Sequence, residues 1–454
     1  MEQLRKNLRQ TTMIAFSITY LLAPLTSSSI LFSISAFLLV IVVCQSLLLA
    51  TPVNRYISIT LFLTGSFLLF YKNAALNEWI VSIGANSGLV TLFIALPFLG
   101  FPLSYEDYHT TLKVLSAKYM KNDIYFGNLS HLITYCLSAL LNLGSFPIIY
   151  NLFGNDTTSS QKEKTLRIAM TRGNTAAIFW SPNYVAVAVI LYYLNIPWIS
   201  IVPMGLALSL AIVLSTWFST MLRVKFAGPQ PVQKTVSLAG TDMNFRLVAK
   251  LAVIFITLLS LVAFLTIFTT WNILVIVPIV AIIFPLILAL IQNKLLIYRQ
   301  QLHNYYSTTL SNLKNEVIIF AAAGFFGKSL EITGVGKIVP SLLQLDNIHQ
   351  PFLAILAIML VMGVLAIVGV HPVVTSSAIA ASIGADTLGL SLSAYAFALL
   401  AAYGLAVLVS PFSGMSLVMS GLTKRSAWEV SLLDNMLYSV GMALFFAAVI
   451  PFIK

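Results

Sequence analysis

The chain has 454 residues, of which 59% are hydrophobic and 9% charged, and its mean hydropathy is +0.94. This composition excludes a water-soluble globular protein and indicates a polytopic membrane protein. The formal net charge of +11 would suit a nucleic-acid-binding protein, but the basic residues lie in short connectors, where the positive-inside rule and anionic lipid headgroups explain them. We therefore expect a multi-pass protein of the cytoplasmic membrane, with membrane lipids and no nucleic acid as partners.

The first ten residues carry Arg5, Lys6 and Arg9 ahead of an apolar run, as a signal peptide would. A small-residue cleavage pattern is missing and further apolar segments follow, so we interpret them as a retained cytoplasmic start. Both cysteines, Cys44 and Cys136, fall inside apolar runs. They predict neither a disulfide framework nor a metal site.

Long apolar runs without ten-residue alternation predict an all-α polytopic fold rather than a transmembrane barrel. At about 20 residues per span, we expect about 11–13 membrane segments. In the first half they lie near residues 12–25, 28–50, 56–71, 86–103, 127–153, 166–194 and 197–222. In the second half they lie near residues 247–268, 270–293, 316–342, 352–388, 392–421 and 430–453.

The segments divide the chain into a first membrane repeat, 1–222, a polar linker, 223–246, and a second membrane repeat, 247–454. Each repeat is expected to hold a re-entrant hairpin followed by a broken helix. In the first repeat these are about 127–153 and 166–194, and in the second about 365–388 and 392–421. The apolar run that precedes residue 384 exceeds one span, so we expect a full span ahead of the second hairpin.

The division into two repeats rests on four helix-breaking motifs. Ser181-Pro182-Asn183 and Ser410-Pro411-Phe412 are 229 positions apart, which is 410 less 181. Asn142 in Asn142-Leu143-Gly144-Ser145 lies 39 residues ahead of Ser181, and His371 in His371-Pro372 lies 39 ahead of Ser410. Paired interruptions in two halves are typical of the binding site of a secondary transporter. If each half crosses the membrane an odd number of times, the two are inverted repeats.

Side chains at these breaks predict the binding site. Hydroxyls and amides beside unwound backbone can replace the water shell of an ion, and freed helix N-termini can face an anion. The competing interpretation is a set of helix kinks whose hydroxyls bond backbone carbonyls. We predict no catalytic residue and no resident metal. The predicted substrate- and ion-binding residues are Asn142, Ser145, Asn174, Thr175, Ser181, Asn183, His371, Thr375, Ser376, Ser410 and Ser413.

Ionisable residues give two further hypotheses. His371 lies in an apolar run, where it either takes part in proton coupling or caps the hairpin tip through its ring. Arg172 is a possible contact for an anion, or an anchor that reaches lipid headgroups. All fourteen acidic residues lie in connectors or near segment ends. We therefore expect no buried carboxylate pair of the kind a proton antiporter uses, while a sodium site made of carbonyls, amides and hydroxyls stays open.

Enzyme signatures are missing, since the sequence has no phosphate-binding lysine loop, histidine metal motif or nucleophile elbow. We predict that the protein is not an enzyme and has no cofactor, apart from Na⁺ or H⁺ as a coupling ion.

Three motifs resemble the ion transporter superfamily, which includes divalent anion/sodium symporters, arsenite pumps, sodium/proton antiporters and citrate carriers. Residues 321–327, Ala-Ala-Ala-Gly-Phe-Phe-Gly, followed by Thr333-Gly334-Val335, are similar to the small-residue span that precedes the second hairpin of that family. His371-Pro372-Val373-Val374-Thr375-Ser376 falls where the family has its second hairpin tip. Ser181-Pro182 and Ser410-Pro411 resemble its two unwound helices. The serine-asparagine-threonine tips of the family are replaced here.

The resemblance covers most of the chain. It implies a scaffold that forms a homodimer and a mobile domain that carries both hairpins and moves like an elevator.

The sequence thus predicts an ion-coupled secondary transporter that moves a small, anionic organic solute across the cytoplasmic membrane by alternating access. One alternative is a translocase for lipid-linked or envelope precursors, which would need a groove open to lipid. Another is a non-transporting membrane assembly factor, which would tolerate substitutions at all four breaks. The solute, the coupling ion and the choice between symport and antiport stay open.

Overall fold

A computed structural model of the chain describes residues 2–106, 123–154, 159–227, 245–334 and 350–453. Throughout these ranges the regular structure is helical and contains no strand, which confirms the predicted all-α fold. Nine segments of the described chain are long and apolar enough to cross a membrane, and three shorter apolar helices accompany them.

The first half begins with a bundle of helices. These are α1 (Glu2–Leu25), α2 (Ser29–Leu47), α3 (Pro52–Tyr71), α4 (Leu76–Gly84) and α5 (Ser87–Ala95), and a 3₁₀ segment (Leu96–Ser104) continues α5. Local sequence determines where these helices begin. The Ser28 side chain accepts a hydrogen bond from the Leu31 N–H and so caps α2. Pro52 occupies the first turn of α3, where a backbone N–H would have no partner within the helix, so its absence in proline costs nothing.

A hairpin and a broken helix follow. The hairpin consists of α6 (Asp123–Leu141), a 3₁₀ turn (Asn142–Gly144) and α7 (Ser145–Phe153); the broken helix consists of α8 (Ser160–Ala177) and α9 (Val185–Leu194), and α10 (Trp198–Ala227) closes the half. The Phe126 and Phe153 rings lie 5.9 Å apart. The start of α6 therefore meets the end of α7, as in an antiparallel hairpin.

The second half repeats this order. It begins with α11 (Phe245–Phe268), α12 (Ile273–Ile291), α13 (Leu295–Asn304), a π-helical turn (Tyr305–Thr309), α14 (Leu310–Asn312) and α15 (Lys314–Thr333). The second hairpin is formed by α16 (Pro351–Ile367) and α17 (Pro372–Ser382), and a 3₁₀ turn (Asp386–Leu388) follows. The second broken helix is α18 (Leu392–Val409) and α19 (Gly414–Thr423); then come a π-helical turn (Glu429–Leu433), α20 (Asp434–Val449) and a 3₁₀ turn (Ile450–Phe452).

Two boundaries differ from the sequence prediction. The bend of the second hairpin lies at 368–371, so its arms are α16 and α17 and the run 352–388 holds no separate span. The predicted linker, 223–246, begins inside α10 and ends inside α11, and its residues 228–244 lie outside the described ranges.

Two lysine contacts join helix ends on one side of the bundle, which we call the basic side. Lys6 Nζ donates to the Ser307 carbonyl at 2.8 Å, and Lys250 Nζ donates to Glu106 Oε1 at 2.7 Å. The latter bond holds the pKa of the Glu106 carboxyl below its usual range. The 3₁₀ segment after α5 and the π-helical turn line one cavity. The starts of α1 and α11, which the two lysine bonds join to these elements, therefore belong to the same side.

Candidate functional site

The first Ser-Pro break is bonded to the hairpin that precedes it. Ser181 Oγ donates to the Ala139 carbonyl at 2.6 Å, and Asn183 Nδ2 donates to the same carbonyl at 3.0 Å. The Asn183 N–H donates to Ser181 Oγ at 3.3 Å. Because Pro182 has no N–H and cannot continue the helical bonding, these side-chain bonds replace it. They fix the gap between α8 and α9 against the last turn of α6.

The second Ser-Pro break repeats the arrangement. Ser410 Oγ donates to the Ala366 carbonyl at 2.7 Å, and the Phe412 N–H donates to Ser410 Oγ at 3.2 Å. Ala366 lies in the last turn of α16, as Ala139 lies in the last turn of α6. The two serines reach back 42 and 44 residues, respectively. Both halves therefore build the same joint between broken helix and hairpin.

The hairpin tips turn through left-handed residues. Asn142 has φ +52° in the first tip and Gly369 has φ +100° in the second, a region that glycine and asparagine tolerate best. Gly369 lies 227 positions after Asn142, since 369 less 142 is 227. His371, which the sequence pattern pairs with Asn142, lies two residues beyond the turn. Its Nδ1 accepts the Val373 N–H at 3.2 Å and so caps α17. Of the two roles that the sequence suggested for His371, proton coupling and capping, this geometry is that of a cap.

Several predicted hydroxyls bond inside their own helix. Thr175 Oγ1 donates to the Thr171 carbonyl at 3.0 Å, and Thr375 and Ser376 donate to carbonyls three residues back at 3.1 Å each. This is the bonding expected of kinked membrane helices. A hydroxyl that donates its hydrogen still keeps oxygen lone pairs, so these atoms remain able to coordinate a cation or accept a bond from a solute.

The other predicted side chains bond across the breaks. Ser145 Oγ donates to the Asn142 carbonyl at 2.8 Å and lies 2.7 Å from Ser138 Oγ. Asn174 Nδ2 donates to the Tyr184 hydroxyl at 2.8 Å. Ser413 accepts from the Ser416 N–H at 3.2 Å and so caps α19.

Packing brings the four breaks together. A Cβ placed on Gly414, the first residue of α19, would lie 3.0 Å from the Leu143 side chain in the first hairpin tip. Gly404 of α18 approaches Thr175 of α8 in the same way, at 3.4 Å. In addition α17 packs against α9. Of the eleven predicted residues, all are buried except Asn142 and His371, which are half-buried.

Arg172 is held by neighbouring helices. Its Nε donates to Asn435 Oδ1 at 3.0 Å, its Nη1 donates to Ser219 Oγ at 2.9 Å, and the group stacks 3.7 Å from the centre of the Tyr438 ring. The residue is 4% exposed. In this conformation its guanidinium joins α8 to α10 and α20, and neither an anion nor lipid headgroups are needed to explain its position.

A cavity of about 470 Å³ lies beside the first hairpin tip. Leu141 and Gly144, which flank the tip, form one wall, and the 3₁₀ segment after α5 and the π-helical turn form the others. Its polar lining consists of neutral groups, among them Ser104, Asn151 and Gln301. The described residues that line it include no charged side chain. Because Ser104 and Leu251 line it, the cavity lies on the basic side.

The sequence missed a buried ion cluster. Arg167 Nε pairs with Asp434 at 2.9 Å, Nη2 with Glu429 at 2.8 Å and Nη1 with Glu163 at 3.1 Å. Asp434 lies near a segment end, where the acidic residues were predicted, but its side chain is 1% exposed, so that position does not keep the carboxylate at the surface. The i,i+4 spacing of Glu163 and Arg167 was the available sequence signal. The cluster ties the start of α8 to the start of α20.

Together these features define an integral, multi-pass, all-helical membrane protein with two hairpins and two broken helices. No protein-family model and no curated protein matches the sequence. The fold is similar to that in the crystal structure of the YdaH transporter from Alcanivorax borkumensis, whose topology is described as unusual. The TM-score is 0.51 at 13% sequence identity, and the match covers 82% of this chain and 87% of that chain. At this identity the likeness is one of fold.

Proposed function

We propose that the protein is an ion-coupled secondary transporter of the ion transporter superfamily, which moves a small, anionic organic solute across the cytoplasmic membrane. The observation that carries the proposal is the repeated joint: Ser181 and Ser410 each bind the last turn of the preceding hairpin arm. Two equivalent joints at the centre of one bundle are what a transporter built from two repeats needs. The similarity of fold to a membrane transporter supports the same conclusion.

The solute is proposed to bind where the short helices begin. α7, α9, α17 and α19 all start at the breaks, and each helix N-terminus carries a partial positive charge. The first-turn N–H groups that the caps leave unbonded suit a carboxylate or another oxyanion. The last carbonyls of α6 and α16 face the same breaks and suit a coupling cation.

Access to this site is proposed to alternate by an elevator-like movement of the two hairpins and broken helices against the other helices, in a homodimer whose repeats are inverted. The basic side is assigned to the cytoplasm because Lys and Arg favour cytoplasmic connectors. The cavity beside the first hairpin tip would then be the cytoplasmic entrance. Neutral amides and hydroxyls suit an entrance, because an anion passes such walls without being held by a fixed charge.

An uptake screen tests the proposal. Purified protein in proteoliposomes is offered carboxylates, oxyanions and amino acids while sodium and proton gradients are imposed separately. We expect one gradient to drive accumulation of at least one anionic solute. Absence of gradient-driven accumulation for every solute would contradict the proposal, and movement of a fluorescent lipid-linked precursor between leaflets would favour a translocase instead.

A further inference from the structure

His131 is a buried histidine whose ring lies beside the backbone of Arg172 but makes no well-aligned hydrogen bond within the described chain. It lies on α6 and is 0% exposed, and both Nδ1 and Nε2 are left without such a bond. A neutral imidazole carries one donor and one acceptor. Leaving both unbonded away from water costs free energy, so a group kept in this state needs an explanation. The ring of His371, by contrast, is engaged in capping α17.

The position of His131 links it to the candidate site. His131, Thr134 and Ser138 follow one another at spacings of three and four residues, which places them on one face of α6, and all three are 0% exposed. Ser138 Oγ lies 2.7 Å from Ser145 Oγ at the hairpin tip. At a rise of 1.5 Å per residue, His131 is about 10 Å from Ser138 along the helix. A continuous polar face thus runs from His131 to the tip.

Arg172 is the charged neighbour of His131, and the helices packed against α6 carry more cations than carboxylates within the described ranges. A Cβ on Gly173 would lie 2.8 Å from the His131 carbonyl, so the α8 backbone beside Arg172 touches this turn of α6. On the elements packed against α6, the charged and titratable groups of the described residues fall into three sets. α8 brings Lys162, Glu163, Lys164, Arg167 and Arg172, α10 brings Arg223 and Lys225, and α7 brings the Tyr150 phenol, whereas the 3₁₀ segments bring none.

The carboxylates within reach are already paired. Glu163 is bonded to Arg167 and Arg425, and Asp123 on α6 itself pairs with Lys162 at 3.5 Å. A proton on His131 would therefore add a positive charge beside Arg172 without a counter-charge. Such a charge is stable only when an anion is bound nearby.

We propose that His131 is the proton-binding residue of the transporter and that the anionic solute supplies its counter-charge. This deepens the proposed function and rests on it. The proton passes from a hydronium ion to the lone pair of the unprotonated ring nitrogen, so that one O–H bond breaks as the N–H bond forms, and it returns to water on the other side of the membrane. Because the imidazolium and the anion stabilise each other, each raises the affinity for the other by the same factor. Proton and anion then move together, which makes the transporter a symporter.

The test uses proteoliposomes that contain the pH dye pyranine, with the carboxylates, oxyanions and amino acids of the uptake screen added outside. Wild type is expected to acidify the interior when the transported solute is added. In His131→Gln we expect this proton flux to fall at least about tenfold, while the variant still exchanges labelled for unlabelled solute. Only the coupling between proton binding and solute binding is removed. Ser130→Ala, which removes the neighbouring hydroxyl on α6, and His303→Gln, at an exposed position on α13, are the controls and should acidify as wild type does.

Each other outcome is decisive. Acidification by His131→Gln at the wild-type rate overturns the assignment. Loss of exchange together with loss of proton flux also overturns it, because the residue would then serve folding or solute binding. Solute uptake driven by sodium without any acidification overturns proton coupling at His131 but leaves the proposed function intact. Only the absence of uptake under every gradient contradicts the proposed function itself.

Discussion

The ion cluster around Arg167 gives the sharpest stability prediction. Arg167→Met removes the guanidinium that joins Glu163, Glu429 and Asp434, and leaves Glu163 with Arg425. The Asp434 carboxylate, with its side chain 1% exposed, then keeps only Lys164, 3.6 Å away. Breaking a buried pair by removing one partner costs about 3–5 kcal/mol, and we expect a loss of that size because the methionine leaves net negative charge in the interior.

The assay is thermal unfolding of the purified protein in detergent, followed by fluorescence and by retention of a monodisperse peak. Lys250→Met is the matched control, because Lys250 and Glu106 both reach solvent, with side chains 33% and 29% exposed, and solvent-accessible pairs contribute less than about 1 kcal/mol. The double variant Arg167→Met with Asp434→Asn should recover part of the loss, since it removes the stranded charge as well. An Arg167→Met protein with the melting temperature of the control would show that the ion cluster does not stabilise the fold. A double variant that melts below the single one would show that the stranded Asp434 charge is not the cause of the loss.

Two further predictions concern the first and second breaks. Gly205→Ala places a Cβ 2.5 Å from the Phe179 carbonyl oxygen, so we expect a destabilisation of about 1–3 kcal/mol in the same assay. The control Gly441→Ala, whose Cβ meets nothing within 4 Å, should be neutral or stabilising by up to about 1 kcal/mol. A Gly441→Ala protein that melts below the Gly205→Ala protein would contradict the close packing at Gly205. Ser413→Ala removes the cap on the Ser416 N–H and should cost about 1 kcal/mol, whereas Ser413→Thr keeps a hydroxyl at the cap position. Equal melting of the two variants would show that the cap contributes nothing.

The fold class and the positions of the breaks were predictable because local residues determine them. Apolar runs predict the helices, and a proline beside a serine predicts where the helical hydrogen bonding must stop, as at Pro182 and Pro411. The second hairpin was placed less well. Sequence spacing points to His371, but the chain turns at Gly369, because the left-handed conformation is the physical requirement for the bend.

The buried charges were not predictable, because burial there depends on contacts between distant parts of the chain. Arg167 and Asp434 are 267 positions apart, and each lies near the end of an apolar segment, where a charge ordinarily meets water. His131 carried the same signal as His371, an ionisable residue within an apolar segment, but the sequence does not show which of the two rings has hydrogen-bond partners. Such residues are recognised only when neighbouring helices are in place.

If the two Ser-Pro joints form the transport site, solute uptake must depend on both of them, and uptake by joint variants measures this dependence. Ser181→Leu and Ser410→Leu each remove the bond to the hairpin arm and add a bulky side chain at a buried position, at a cost of about 1–3 kcal/mol that a folded protein can absorb. Ser33→Leu, at an exposed position on α2, is the control. We predict that both joint variants reach the membrane folded but lose gradient-driven uptake, while the control transports normally. Normal uptake by either folded joint variant would show that this joint is not part of the transport site.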